Sequence, residues 1–442
     1  MKILEFFYIF AIKNINLLII NSRTMNTIKV AFSTALSLVG VFLFQGCSGP
    51  TPPPSKSQQE IVDTINLSDI NVYLENSGSM DGYVSGSTEF ENIIYDYLTR
   101  LTTAKIKNGV LADSLNLFYI NSNVISRGTD IKDFIMNLEP SDFKKKGGQR
   151  GNTDVGEVLK TILDRTDTTK VSIFISDCIF SPGKGVDAND YLNKQQTSIM
   201  ASFSNYLNNH ENNLAVIVYR FKSSYNGLYY DRNDATSKYS GERPFYIWLI
   251  GSKRNLAAIQ SKVKDNEFKH DGVQDKFVIY RTNEHLNYAI KKTKGVELDK
   301  HNTKTTISKI DKNRSGVFDF AINVDFKNSL LEESYIMDSL NYATDSDTSI
   351  TLEVSPASKA DSQKYTHTLK FTSAQRPKGH YMFGIKMAVP EWVEVYNDDA
   401  GDKLDESTKD KTFGIKYLIN GVYDAFIRNT VPTFADFEIT IK

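Results

Sequence analysis

The residues with chemistry to offer fall on three short segments. The first reads Glu75-Asn76-Ser77-Gly78-Ser79-Met80-Asp81-Gly82, two hydroxyls two residues apart behind a carboxylate. Such a set supplies hard oxygen donors on one loop, which suit Mg²⁺, Mn²⁺ or Ca²⁺ better than zinc. Taken alone it reads as a polar turn. The second segment, Gly151-Asn152-Thr153-Asp154, opens a helical pattern and puts the Thr153 hydroxyl at a helix start. The third, Ser176-Asp177-Cys178, follows an apolar run and sets the Asp177 carboxylate at a strand end. Thr153 lies 76 residues after Ser77, and Asp177 lies 24 after Thr153.

Alternating strands and helices are the elements that must position these segments. Apolar, β-branched runs at 69–74, 114–120, 170–176, 214–221, 244–250 and 276–280 predict strands. Between them, apolar residues at helical spacing predict helices over 88–107, 130–138, 153–164, 191–208 and 255–263. This alternation predicts an α/β fold, a doubly wound, mostly parallel sheet with helices on both faces. In such a sheet, ligands bind in loops at the carboxyl ends of strands, so all three segments should converge at one edge. From about residue 300 the pattern becomes short alternating runs, at 317–325, 349–355, 366–372, 382–387 and 437–441, with 417–423 hairpin-like. These predict a β-rich, sandwich-like second domain over 300–442, following the α/β domain over 65–299.

The order Glu75-x-Ser77-x-Ser79, then Thr153, then Asp177 resembles the von Willebrand factor A domain over roughly half of the chain. That family's metal-ion-dependent adhesion site reads Asp-x-Ser-x-Ser, then Thr, then Asp. The resemblance implies that Ser77 and Ser79 ligate a divalent ion, that Thr153 does so in one state, and that Asp177 acts directly or through water. Glu75 stands where the family has its first aspartate, and the extra methylene moves the carboxylate by about 1.5 Å. In that family a carboxylate from a protein partner fills the ion's open position, a full ion contact for the incoming acid. The implied function is metal-dependent binding rather than turnover. A structural protein with a vestigial site is the alternative that Glu75 supports.

A hydrolase is the remaining rival. Neither Ser77 nor Ser79 lies in Gly-x-Ser-x-Gly, and His210, His270 and His285 stand in no evident triad order. A metal phosphatase would want more carboxylates and histidines around its ion than these loops hold. Cys178 reads as a buried structural cysteine, and Lys144-Lys145-Lys146 as a solvated loop with anion binding as the lesser reading. The tyrosine-rich insertion at 222–243 is equally compatible with a recognition surface and with packing on the sheet edge. Asp398-Asp399-Ala400-Gly401-Asp402 lacks the spacing of a calcium loop and reads as a solvated turn.

The N-terminal region supplies an address. Residues 25–46 combine Lys29, an apolar run and a small residue, as secretory signals do. Leu43-Phe44-Gln45-Gly46-Cys47 resembles a bacterial lipoprotein lipobox, which implies cleavage before Cys47 and its acylation. The polar, proline-rich stretch over 47–64 fits a tether, and 1–24 an over-extended start ahead of the signal at Met25. The expected location is the cell envelope, lipid-anchored in the outer membrane and facing the periplasm. The chain's 442 residues are 40% apolar and 12% aromatic, enough for real cores. Its net charge is −1; residues 1–46 carry Lys2, Lys13, Arg23 and Lys29 against Glu5, a balance of +3, leaving −4 on the remainder. A mildly acidic mature chain argues against nucleic-acid binding.

Overall fold

The computed structural model describes residues 67–442 apart from 107, 108, 149, 152, 266–271, 283, 345–349, 403 and 429–431. The expected signal, Cys47 and the expected tether lie outside the described residues.

The α/β part begins with β1 (Asp69–Glu75), α1 (Glu89–Thr103), β2 (Ser114–Ile120) and β3 (Val124–Gly128). It continues through α2 (Ile131–Met136), α3 (Pro140–Lys146), α4 (Val155–Asp164), β4 (Lys170–Ser176) and α5 (Ala188–Asn209). Strands β5 (Leu214–Tyr230) and β6 (Thr236–Gly251), helix α6 (Lys253–Lys262) and strand β7 (Asp275–Arg281) complete it. Local chemistry explains the helix starts. The Thr88 side chain accepts from the Glu91 N–H, Asp154 from those of Gly156 and Glu157, and Asp187 from that of Asp190. Phe90, Ile93, Ile94, Tyr97, Leu98 and Leu101 repeat at helical spacing along α1 and are buried.

The seven strands form one mixed sheet in the order β3-β2-β1-β4-β6-β5-β7. Its centre is parallel: β1 pairs with β2 on one side and β4 on the other. Strands β3, β6 and β7 run the opposite way, so four of the seven share one direction. The insertion at 222–243 is not a separate loop; its residues extend β5 and β6 into a long hairpin arm. The β4–β6 ladder stops at Ser176↔Tyr246, whereas the β5–β6 ladder runs on from Phe221↔Phe245 to Tyr230↔Thr236. The arm therefore projects past the edge at which β1 and β4 end.

The β-rich part comprises β8 (Tyr288–Lys291), β9 (Val296–Leu298), β10 (Thr306–Ile310), β11 (Phe318–Val324) and α7 (Glu333–Met337). Then follow β12 (Tyr342–Thr344), β13 (Ile350–Pro356), β14 (His367–Ser373), β15 (Gly379–Lys386), α8 (Ile415–Ile427) and β16 (Thr433–Ile441). Two sheets result, β8-β11-β14-β13 and β9-β10-β16-β15-β12. Phe320, Ile322 and Phe371 of the first share a buried cluster with Phe383, Ile385 and Phe437 of the second.

One expectation fails here. Residues 417–423, predicted hairpin-like, lie inside α8. Over the longer window, Ile415, Leu418, Ile419, Val422, Ala425 and Phe426 recur at helical spacing and are buried. Their cluster is that of α5 and the α/β sheet, together with Leu192, Ile199 and Trp248. Gly421 permits the close approach: a Cβ there would come within 2.7 Å of the Gln196 carbonyl and 2.9 Å of Ile199 Cβ.

Candidate metal centre

Strand β1 delivers Glu75, only 3% exposed, to the sheet edge, where its carboxylate accepts a hydrogen bond from the Ser176 hydroxyl at the end of β4. The chain then turns through a short 3₁₀ segment, Gly78–Gly82, anchored by buried Met80. This turn sets the Ser77 and Ser79 hydroxyls 3.0 Å apart. After β4, Ser176 Oγ accepts the Cys178 N–H at 2.7 Å, and Cys178 takes a left-handed φ of 56°. Asp177 is thereby tucked inward at 2% exposure, one oxygen accepting from the Ile179 N–H at 3.4 Å. Thr153 sits two residues before α4, buried beside its capping Asp154.

Glu75, Ser77, Ser79 and Thr153 line a single cleft of about 230 Å³. Asp177 is near enough for its charge to act on Glu75. Two oxygens here have no hydrogen-bond partner although they are buried: Thr153 Oγ1 and Asp177 Oδ2. Buried polar atoms are almost always paired, so two orphans on adjoining loops call for an explanation. A cation supplies one.

The electrostatics agree. Burial, then the neighbouring Asp177 charge, pushes the Glu75 carboxyl up to about 8, against the opposing hydroxyls of Ser176 and Ser77. Burial also raises Asp177, opposed by the Ser79 hydroxyl and the positive Arg243. Two desolvated acids sharing a pocket with three hydroxyls are poorly compensated unless a positive ion or protons neutralise them. Among the described residues no three His, Cys, Asp or Glu side chains cluster around a point that could hold a metal. The donor set here is of another kind, two carboxylates plus hydroxyls, and it fits a hard cation.

Comparison with protein-family models, curated proteins and solved structures gives no match.

Several residues around the cleft were not foreseen from the sequence. Arg150 donates from Nε to the Asn76 carbonyl at 2.6 Å and from Nη2 to the Ser77 carbonyl at 2.9 Å, and pairs with Asp81. One guanidinium thus ties the Thr153 loop to the serine turn. The arm supplies the rest. Tyr225 directs its hydroxyl to the Ser79 and Leu228 carbonyls at 3.1 and 2.6 Å, while Tyr230, Asp231 and Asp234 line the mouth. Gly82 allows this docking, since a Cβ there would lie 2.3 Å from the Tyr225 ring. The only advance signal was the density of tyrosine in 222–243.

Among the described residues no histidine lines the cleft. His210 stacks on Tyr206 at the end of α5, with ring centroids 3.9 Å apart. Cys178 is fully buried, and burial pushes its thiol well above the ordinary range. Asp398 spends its carboxylate on the Ala400 and Gly401 N–H groups of its own turn.

Proposed function

We propose that this chain is a lipid-anchored binding protein of the bacterial cell envelope whose α/β part, similar to a von Willebrand factor A domain, holds a divalent ion and captures a protein carboxylate. The observation that carries this reading is the pair of unpartnered buried oxygens, Thr153 Oγ1 and Asp177 Oδ2, beside Glu75, Ser77 and Ser79. These five residues would hold Mg²⁺, Mn²⁺ or Ca²⁺, which supplies a Lewis-acid contact for an incoming acid. Ser77 and Ser79 are hydrogen-bonded to each other, and among the described residues the cleft lining offers no imidazole to activate either, which favours binding over turnover. The two-sheet part, which begins at Tyr288 rather than at residue 300, is a sandwich-like second module. Residues 25–46 are a signal, Cys47 is acylated, and the outer membrane's periplasmic face is the location.

Calorimetric titration of Mg²⁺ and Mn²⁺ into the purified protein tests the site, with Asp177→Ala as control; saturable binding lost in the variant is expected. Intact mass after membrane extraction tests the anchor: an unacylated Cys47 would exclude it. One observation favours a vestigial site instead. A Glu75 carboxyl that titrates near 8 and holds the Ser176 hydroxyl can compensate itself by staying protonated. A protein whose thermal stability ignores millimolar divalent ions would support that alternative.

A further inference from the structure

The cleft does not end at the candidate ion. Past Gly78 and Tyr230, which line both spaces, it continues into a groove of about 600 Å³ along the arm. That groove is bordered by Lys144 of α3 and Lys238 of β6, with Tyr239 and the half-exposed Leu228 beside them. Both lysines are exposed, and neither forms an ion pair with another described residue. Asp81 also lines it, but Arg150 already neutralises that carboxylate. The cleft has the other sign where the arm turns, lined by Asp231 and Asp234 without basic partners among the described residues. The mouth is thus polarised, basic along the arm and acidic at its end. Beyond Tyr246, moreover, β6 forms a ladder with β5 alone.

Resting on the metal reading above, we propose that the partner segment is an extended acidic peptide. One of its carboxylates takes the ion, and the acids beside it run over Gly78 and Tyr230 between Lys144 and Lys238, away from Asp231 and Asp234. Charge complementarity fixes that direction, because the reverse orientation would set acid against acid. A peptide fits better than a nucleic acid: two lysines on a mature chain of net charge −4 are far from the broad basic surface a phosphate backbone demands.

The test uses the purified full chain and labelled hexaglutamate, read by fluorescence polarisation in millimolar Mg²⁺. Hexaglutamate should bind, and the exposed charge reversals Lys144→Glu and Lys238→Glu together should weaken it by about tenfold or more while calorimetric Mg²⁺ binding stays unchanged. Asp231→Asn with Asp234→Asn should leave it as tight or tighter. Equal binding of hexalysine, binding of oligothymidylate at least as tight, or indifference to the lysine reversals would each overturn the proposal. Mg²⁺ binding without hexaglutamate binding would overturn it too, yet leave the metal reading standing. Lysine-dependent binding that survives chelator would uphold the groove and remove the ion.

Discussion

The buried acid at the end of β1 makes the metal-free protein sensitive to pH in a defined direction. Glu75 titrates near 4.5 when solvated and near 8 in the folded chain. Between those values the folded state holds a proton that the unfolded state has released, so stability falls as pH rises, with no loss below the lower value and full loss above the upper. At about 1.4 kcal/mol per pH decade, the loss is about 3 kcal/mol by pH 7 and about 5 kcal/mol when complete. Asp177 is raised for the same reason, burial, and adds in the same direction. Replacing Glu75 with Gln keeps an acceptor for the Ser176 hydroxyl and removes the charge. Urea unfolding in chelator, followed by the fluorescence of buried Trp248 and Trp392, reads the effect. Wild type should lose stability between about pH 5 and about pH 8, while Glu75→Gln keeps only the shallower loss that Asp177 contributes and is the more stable protein at the upper end. Millimolar Mg²⁺ should restore wild type most at high pH, because ligating carboxylates must be deprotonated. A flat wild-type profile, or a variant that is less stable at high pH, would show that Glu75 is not the buried, uncompensated acid described here.

Three further outcomes follow from the same geometry. Asp177→Ala should abolish Mg²⁺ binding in calorimetry while leaving the circular dichroism spectrum unchanged, since the side chain meets only the Ile179 N–H, at 3.4 Å, and the Ser79 hydroxyl within the site itself. Arg150→Met removes the donors to the Asn76 and Ser77 carbonyls and the Asp81 partner; it should cost about 2 kcal/mol in urea unfolding and lower Mg²⁺ affinity as the serine turn loosens. Gly82→Ala drives a methyl into the Tyr225 ring, and a loss of about 1–3 kcal/mol with increased proteolysis of the arm is expected.

The α/β pattern and the meeting of the three loops were legible because they depend on local signals that add up. Apolar runs at 69–74 and 170–176 mark parallel strands, and parallel neighbours necessarily present Glu75 and Asp177 at the same edge. The arm was hidden for a physical reason. Its inward positions, Phe221, Ser223, Tyr225, Gly227 and Tyr229, do alternate, but Ser223 and Gly227 erase the period-two signal that marks a half-buried strand. Helix α8 was missed because seven residues span too little of the helical period to separate it from a strand. Arg150 was invisible for a third reason: its acceptors are main-chain carbonyls more than seventy residues away, and backbone groups carry no sequence signature.

On the proposed reading, the arm also decides where specificity would reside. A parallel α/β sheet would leave the ends of β1 and β4 open to solvent, with any ligand judged by the loops alone. Here an antiparallel strand, β6, stands between β4 and β5 and carries its ladder past that edge. The wall facing the candidate ion is therefore made of paired strands, held at Gly82, at the Ser79 carbonyl and by buried Arg243, which reaches the Lys409 and Lys411 carbonyls. Paired backbone is stiffer than a loop, so Lys238 on its flank keeps a fixed position relative to Ser77 and Ser79, while the tip acids are held by their turn, Asp231 accepting the Asn233 and Ala235 N–H groups and Asp234 the Ser181 hydroxyl. On the proposed reading, ion affinity and partner choice are separable in this chain. The three loops would set the first through hydroxyls and buried acids, and the arm the second through the sign of the charge along its length.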